Sequence, residues 1–284
     1  MTQYSASNDS SNTYLDHKEV VPILIGLMLG LFLAALDQTI VATAIRTIGD
    51  DLKGLSIQAW ATTAYLITST ITTPLYGKLS DIFGRKPLFV WAISIFIVGS
   101  AMSAFAVSMY QLAVFRAIQG LGAGGLFTLA LAIIGDIVPP RERSKYQGYF
   151  IAVFGSSSVI GPIVGGFLAG QESILGLTGW RWVFFVNVPI GLVALFVVSR
   201  TLLIPNFQRV DHAIDWWGAV SLSTGLVPLL LVAQEGMEIL LMSTNTRHPV
   251  ERVGVFTPKA ENKEYLGPGE IGFIVYKSSR GRKD

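Results

Sequence analysis

Residues 20–45 read VVPILIGLMLGLFLAALDQTIVATAI, and the whole run holds one charged side chain, Asp37. A helix rises about 1.5 Å per residue, so about 20 apolar residues cross a bilayer's hydrocarbon core. In lipid there is no water to satisfy backbone N–H and C=O groups, so a spanning segment must satisfy them within itself, as a helix does. The same reading holds at 57–77, 87–107, 110–135, 146–170, 182–203 and 214–233. These stretches are too long for core strands and too weakly amphipathic for helices of a soluble protein. Many carry internal Gly, Ser and Thr, the small residues that let membrane helices approach closely. The expected architecture is therefore all-α and membrane-spanning: a six-helix bundle over 20–203, then a linker and a seventh transmembrane helix over 204–233.

Composition agrees. Of 284 residues, 51% are hydrophobic and 14% charged, against roughly 25% charged in a soluble globular chain. Mean hydropathy is +0.53. Cysteine is absent, which excludes disulfides and thiolate metal sites. His17, His212 and His248 are too scattered for an imidazole site, so no metal or other cofactor is expected. Residues 1–19 are polar and lack the basic start and apolar core of a secretory signal. They read as a short disordered tail, with the first apolar segment retained.

Lysine and arginine in the connections orient the segments. With the N-terminus inside, the cytoplasmic side holds Lys18, Lys78, Arg85, Lys86, Arg141, Arg143, Lys145, Arg200 and Arg209. The opposite side, up to the seventh helix, holds Arg46, Lys53 and Arg181. The bias places the N-terminus in the cytoplasm. Seven crossings then leave 234–284 outside, although that segment has a soluble character. Its short alternating runs, Met237–Met242, Val250–Phe256 and Gly272–Tyr276, are separated by Pro and Gly turns such as Leu266-Gly267-Pro268-Gly269. They predict a small β-rich soluble fragment beginning at a composition break near Gln234–Gly236.

Four constellations stand out within the membrane region. Asp37 lies inside the first helix, where a carboxylate costs about 2.5–3.5 kcal/mol on insertion scales. It points to proton binding or contact with a cationic substrate, unless it snorkels toward the polar Arg46–Lys53 stretch. Arg116 in the fourth helix shares a face with Gln119, and Gly120 and Gly124 form a small-xxx-small ridge. A structural pairing of Arg116 between helices and a functional role are both compatible with that pattern. Between the second and third helices runs Gly77-Lys78-Leu79-Ser80-Asp81-Ile82-Phe83-Gly84-Arg85-Lys86-Pro87. Asp81 and Arg85 are four apart and can pair on a helical turn, while Gly77 and Gly84 permit a tight turn. In the fifth helix, Gly155, Gly161, Gly165 and Gly166 surround Pro162. The proline removes a helix hydrogen bond, and the glycines leave a groove suited to plain packing or to a bendable contact with another bundle.

Together these segments resemble the major facilitator superfamily, specifically its multidrug proton antiporters with fourteen spans. The likeness rests on LDQTIVATAI at 36–45, GKLSDIFGRKP at 77–87, RAIQGLGAGG at 116–125, GSSSVIGPIVGG at 155–166 and WRWVFFVNVPIG at 180–191, in family order across about 16–235. The resemblance implies that Asp37, Arg116 and Gln119 serve proton coupling and substrate handling. It implies that Gly77, Asp81, Gly84, Arg85 and Lys86 gate the cytoplasmic side, and that Gly155, Gly161, Pro162, Gly165 and Gly166 form an antiporter motif facing the second half. Ile45-Arg46 stands where the family has Leu-Pro, which leaves the end of the first helix open. The tail, about 236–284, resembles a fragment of LepA-type translation factors, and lacks a phosphate-binding loop. The chain thus reads as a half-transporter joined to a foreign fragment.

The expected function is proton-coupled efflux of small, drug-like molecules across the plasma membrane. The expected partners are that substrate, protons, the bilayer and a second bundle from another copy or chain, with no nucleic acid. Two alternatives remain: a truncated or fused membrane protein without transport of its own, and a ribosome-associated module acting through the tail. No nucleophile–base pair, metal cluster or phosphate loop suggests an enzyme.

Overall fold

The computed structural model describes residues 17–202 and the helical positions 217, 218, 221, 224–229, 231 and 232. The chain divides into units 1–234 and 235–284. The β-rich fragment expected at 234–284, the tail before residue 17 and most of the linker and seventh span lie outside the described residues.

Among the described residues up to 202, the first unit has six long helical segments. They are α1 (His17–Asp51), α2 (Ala59–Phe83), α3 (Arg85–Ala104), α4 (Met109–Ile137), α5 (Arg143–Ala169) and a sixth made of α6 (Arg181–Phe185) and α7 (Asn187–Thr201). A short 3-10 turn, Leu55–Ile57, joins α1 to α2, and β1 (Ser173–Ile174) pairs antiparallel with β2 (Leu177–Thr178) before α6. α4 packs against α2 and α3, α1 against α5 and α7, and α3 against α7.

Among the described residues, five helical stretches are long and apolar enough to cross a membrane: Lys18–Asp51, Arg85–Ala104, Met109–Ile137, Arg143–Ala169 and Arg181–Thr201. α2 falls outside that set because hydroxyl residues interrupt it. Their polarity is largely internalised. Thr63 donates to Ala59 O at 3.0 Å, Thr68 to Ala64 O at 3.0 Å, Thr72 to Thr68 O at 2.8 Å and Thr73 to Ser69 O at 2.8 Å. A hydroxyl that bonds back one turn presents little unsatisfied polarity to its surroundings.

Helix ends differ from expectation where backbone chemistry overrides composition. α1 continues past Ile45 to Asp51, since Arg46 is not a proline and nothing there blocks the helical bonds. It stops in a Schellman arrangement: Lys53 takes φ 50°, Gly54 N donates to Gly49 O at 2.9 Å, and Lys53 N donates to Asp50 O at 3.2 Å. The expected loop at 77–87 is almost wholly helical. Gly77 lies within α2, and a single residue, Gly84 at φ 98°, breaks α2 from α3. α4 opens with Ser108, whose side chain accepts from Gln111 N at 3.3 Å, while Gln111 Oε1 accepts from Val107 N at 2.9 Å. This is a reciprocal, box-like cap. The sixth crossing breaks at Val186 because Pro189 cannot donate to the carbonyl of Phe185 and crowds it.

Close approach of α4 to its neighbours depends on glycine. A Cβ on Gly120 would strike Thr68 Oγ1 and Tyr65 O, and one on Gly124 would strike Ser69 O and Thr72 Oγ1. One on Gly122 would lie 2.5 Å from Ala92 O of α3. Gly124→Val is therefore expected to force α2 and α4 apart and to cost about 1–3 kcal/mol or more. Gly135, where an added Cβ meets nothing within 4 Å, provides the contrast: Gly135→Ala should be neutral or stabilise by about 0.5–1 kcal/mol. Thermal unfolding midpoints of the two variants in detergent check this pair of outcomes.

Candidate functional site

The core is split by a polar layer. One buried apolar cluster gathers residues such as Leu33, Phe89, Phe96, Ala123 and Leu126 toward the end where α1 begins. A second gathers Leu36, Ile40, Ala61, Leu112 and Phe184 toward the opposite end. Between them lie Asp37, Ser100, Arg116, Gln119 and Asn187, all buried.

Asp37 and Arg116 form an ion pair at 2.5 Å between Oδ2 and Nη1, with side chains 0% and 1% exposed. Asp37 therefore does not snorkel, and the expected polar stretch after it is helix. Its other oxygen, Oδ1, accepts from Gln119 Nε2 at 2.9 Å and from Asn187 Nδ2 at 2.7 Å. Arg116 Nη1 also donates to Gln119 Oε1 at 2.8 Å, its Nε donates to Ala61 O at 3.4 Å, and its Cζ lies 4.1 Å from the centre of the Tyr65 ring. Asn187 Nδ2 donates in addition to Ser100 Oγ at 3.0 Å, and Ser100 donates to Phe184 O at 2.9 Å. Asn187 Oδ1 has no hydrogen-bond partner among the described residues. The network thus joins α1, α2, α3, α4, α6 and α7 through one carboxylate. Of these residues sequence reading singled out Asp37, Arg116 and Gln119. It missed Asn187 and Ser100, although an amide inside the otherwise uncharged, largely apolar run from Trp182 to Val198 was a usable signal for the first.

The loop motif assembles at the end where α1 begins. Arg85 Nη1 meets Asp81 Oδ1 at 2.7 Å, as the four-residue spacing predicts, and Arg85 Nε meets Asp136 Oδ2 of α4 at 2.8 Å. Arg85 also donates to Ser80 Oγ and, at 3.3 Å, to Gly77 O. Lys86 Nζ donates to Ser199 O of α7 at 2.8 Å. These contacts fasten α2, α3, α4 and α7 together. Asp136 was missed, because its role depends on which helix end lies beside Arg85. At the opposite end Trp180 Nε1 donates to Asp51 at 2.7 Å, and Arg181 Nη1 donates to Ala104 O at 2.7 Å and Ala106 O at 3.0 Å.

The fifth-helix motif does not act as one surface. Gly161 and Gly165 face α1: a Cβ on the first would strike Thr39, and on the second would come 2.9 Å from Ile40 O. Thr39 Oγ1 also donates to Ser157 O across this seam at 3.1 Å. Gly155 has nothing within 4 Å of an added Cβ, Gly166 only Thr43 at 4.0 Å, and Pro162 is exposed. Those three lie on the open side of α5. The expected single groove is thus two faces, one packed and one free.

A bundle of membrane-crossing helices around a buried ion pair is the architecture of a polytopic membrane protein, and residues 27–234 match the Major Facilitator Superfamily. The chain belongs to that family. It is 42% identical over 214 residues to "Multidrug resistance protein 3" of Bacillus subtilis, covering 75% of this chain and 40% of that protein. Identity with "Multidrug transporter protein MdtP" of the same organism is 40%, covering 75% of this chain and 38% of that protein. With "Efflux pump dotC" of Dothistroma septosporum it is 38%, covering 75% and 36%. The chain thus spans about two fifths of the length of these relatives. Among solved structures, a D-xylose-proton symporter superposes with TM-score 0.57 at 18% identity, covering 80% of this chain and 55% of that one. A bacterial homologue of the human lysosomal transporter Spinster gives 0.59 at 19%, covering 71% and 47%. At such identities the likeness speaks for the fold. The family match ends at residue 234, and the resemblance of the tail to LepA-type translation factors gains no support.

Removing one partner of a buried ion pair leaves an uncompensated charge, at a cost of about 3–5 kcal/mol. Arg116→Leu should therefore lower the unfolding midpoint sharply, and Asp37→Asn in the same chain should restore much of the loss. Asn187→Leu should cost about 1–3 kcal/mol by stripping a donor from two buried acceptors. Tryptophan fluorescence during heating of the purified chain reads all three.

Proposed function

We propose that this chain contributes the N-terminal helical bundle of a proton-coupled efflux transporter for small drug-like molecules. The observation that carries the reading is Asp37, a fully buried carboxylate near the middle of a spanning helix, held by donors from α4 and α7. An ionisable residue in that position is retained for a pathway or a coupling event. Its relatives named for multidrug resistance and efflux supply the substrate class.

The chemistry follows from the contacts. Protonating Asp37 removes the negative charge that Arg116, Gln119 and Asn187 converge on. The three donors then lose much of their hold on α1, and the helices carrying them are free to shift. Arg85, bridging Asp81 and Asp136, fastens the end nearest the start of α1 and would open or close with that shift. In this reading Gly155, Pro162 and Gly166 on the open side of α5 meet a second bundle, from another copy or chain, since transporters of this kind bind substrate between two halves. The end where α1 begins carries Lys18, Lys78, Arg85, Lys86, Arg141, Arg143, Lys145 and Arg200, and the other end Arg46, Lys53 and Arg181. That asymmetry supports a cytoplasmic N-terminus in the plasma membrane.

Inverted membrane vesicles containing the full chain should accumulate a fluorescent lipophilic cation when a proton gradient is imposed, and Asp37→Asn should reduce this to the level of empty vesicles. Equal accumulation by the two proteins would sink the antiporter reading for this chain. The natural lack of cysteine makes topology directly readable. Lys145→Cys should label only from the cytoplasmic face and Lys53→Cys only from the other.

A further inference from the structure

Asn187 makes its side-chain hydrogen bonds from one end of the amide only. The residue is fully buried, and its Nδ2 donates to Asp37 Oδ1 at 2.7 Å and to Ser100 Oγ at 3.0 Å. Oδ1, the other end of the same carboxamide, has no hydrogen-bond partner among the described residues. A buried acceptor left unpaired carries its full desolvation cost. Donation to Asp37 accounts for the nitrogen and leaves the oxygen without a use.

The oxygen gains a use when Asp37 takes up a proton. A carboxylate only accepts hydrogen bonds, whereas a protonated carboxyl also carries an O–H that needs an acceptor. Arg116 offers none, and Gln119 Oε1 already accepts from Arg116 Nη1 at 2.8 Å. Tyr65 Oη also lacks a partner, but it makes no hydrogen bond to Asp37. Asn187 already touches the carboxylate. A half-turn of its carboxamide about Cβ–Cγ puts Oδ1 where Nδ2 was, because the two ends are nearly alike in shape. The 2.7 Å separation from Asp37 Oδ1 suits an O–H···O bond.

No other titratable side chain competes for that proton among the described residues packed around the layer. Arg116 of α4 is the charged group on Asp37, and Tyr65 of α2 faces its guanidinium. α5 has no titratable residue from Phe150 to Ala169. Arg85 and Lys86 of α3 are engaged at the far end with Asp81, Asp136 and Ser199 O. Arg181 of α6 donates to Ala104 O and Ala106 O, and Arg200 of α7 lies in its last turn.

We infer that Asn187 is a two-way positioning residue for Asp37: its amide nitrogen donates to the carboxylate, and its amide oxygen accepts from the protonated carboxyl. This rests on the reading of Asp37 as the proton carrier. The incoming proton forms an O–H bond at Asp37 Oδ1, no other covalent bond forms or breaks, and Asn187 turns without titrating. The release that follows is selective. Arg116 and Gln119, both on α4, lose the charge they converge on, while Asn187 exchanges one bond for another and keeps α7 joined to α1.

Infrared difference spectra of the purified full chain between high and low pH test this, with the side-chain amide carbon of asparagine isotopically labelled. Low pH should bring up a carboxyl band that is missing from Asp37→Asn. Together with it, one labelled amide carbonyl band should move to lower frequency, as an unpaired C=O does on accepting a hydrogen bond. That movement should vanish in Asp37→Asn and in Asn187→Leu, and the spectrum of the unaltered chain decides the matter even where Asn187→Leu does not fold. A labelled amide band that stays in place while the Asp37 carboxyl appears would overturn the role of Asn187 and leave Asp37 as the proton carrier. Absence of an Asp37 carboxyl band at every pH that leaves the chain folded would overturn both. Vesicles that accumulate no cation while both bands respond would count against efflux by this chain alone and support the exchange at Asn187.

Discussion

A carboxylate and a guanidinium, both out of reach of water, govern how this bundle can be arranged. Neither charge is tolerable alone at that depth, since an unpaired buried charge costs about 3–5 kcal/mol. Pairing them requires α1 and α4 to sit at one rotation and one height. The remaining valences then recruit the rest: Gln119 and Asn187 complete Oδ1 of Asp37, Ser100 Oγ also accepts from the Asn187 amide nitrogen, and the Tyr65 ring faces the guanidinium. Apolar packing on either side of this layer is less selective, because lipid tails and leucine side chains are almost equally good surroundings for one another. The polar layer supplies the register that hydrophobicity does not.

α5 shows the contrasting case. It touches the bundle chiefly through α1, and its contact is made by absence of side chains at Gly161 and Gly165 and by one hydroxyl, Thr39, shared between the helices. No ion pair among the described residues fixes α5 to the bundle within the membrane. Its other face is apolar and open, with Ile151, Val159, Ile163 and Phe167 between 63% and 75% exposed. A helix held by a smooth seam can slide where one held by a buried salt bridge cannot.

The features legible in the sequence share one property: they break a pattern. A charge inside an apolar run is conspicuous whatever the fold, so Asp37 and Arg116 stood out, and Gln119 followed by helical spacing. The Asp81–Arg85 pair was legible because both partners lie within one turn. Asn187 was quieter, being uncharged, and Ser100 was silent, since serine is common in membrane helices. Asp136 needed a fact no local pattern contains, namely that the end of α4 lies beside the start of α3. The end of α1 was misread for a different reason. Arg46 to Asp51 looks like a loop by composition, but exposed helix and polar loop share a composition, and the stop is set by the left-handed turn at Lys53 and Gly54.

α4 is the element through which the middle and the end of the bundle can communicate. Arg116 and Asp136 lie on it twenty residues apart, about 30 Å along the axis, one in the buried layer and the other in the Arg85 bridge. Gly120, Gly122 and Gly124, between them, bring its backbone against α2 and α3 so closely that a Cβ would collide at each. Packing of that kind resists small independent displacements of side chains and favours movement of the helix as a unit. A change in the charge of Asp37 would therefore be felt at Asp136 through the rigid helix between them. The relation would run both ways: whatever loosens the Arg85 bridge would alter the hold on Asp37 by the same free energy. Coupling in this bundle needs no chain of intervening polar groups, only a helix anchored by one charge in the buried layer and another at its end.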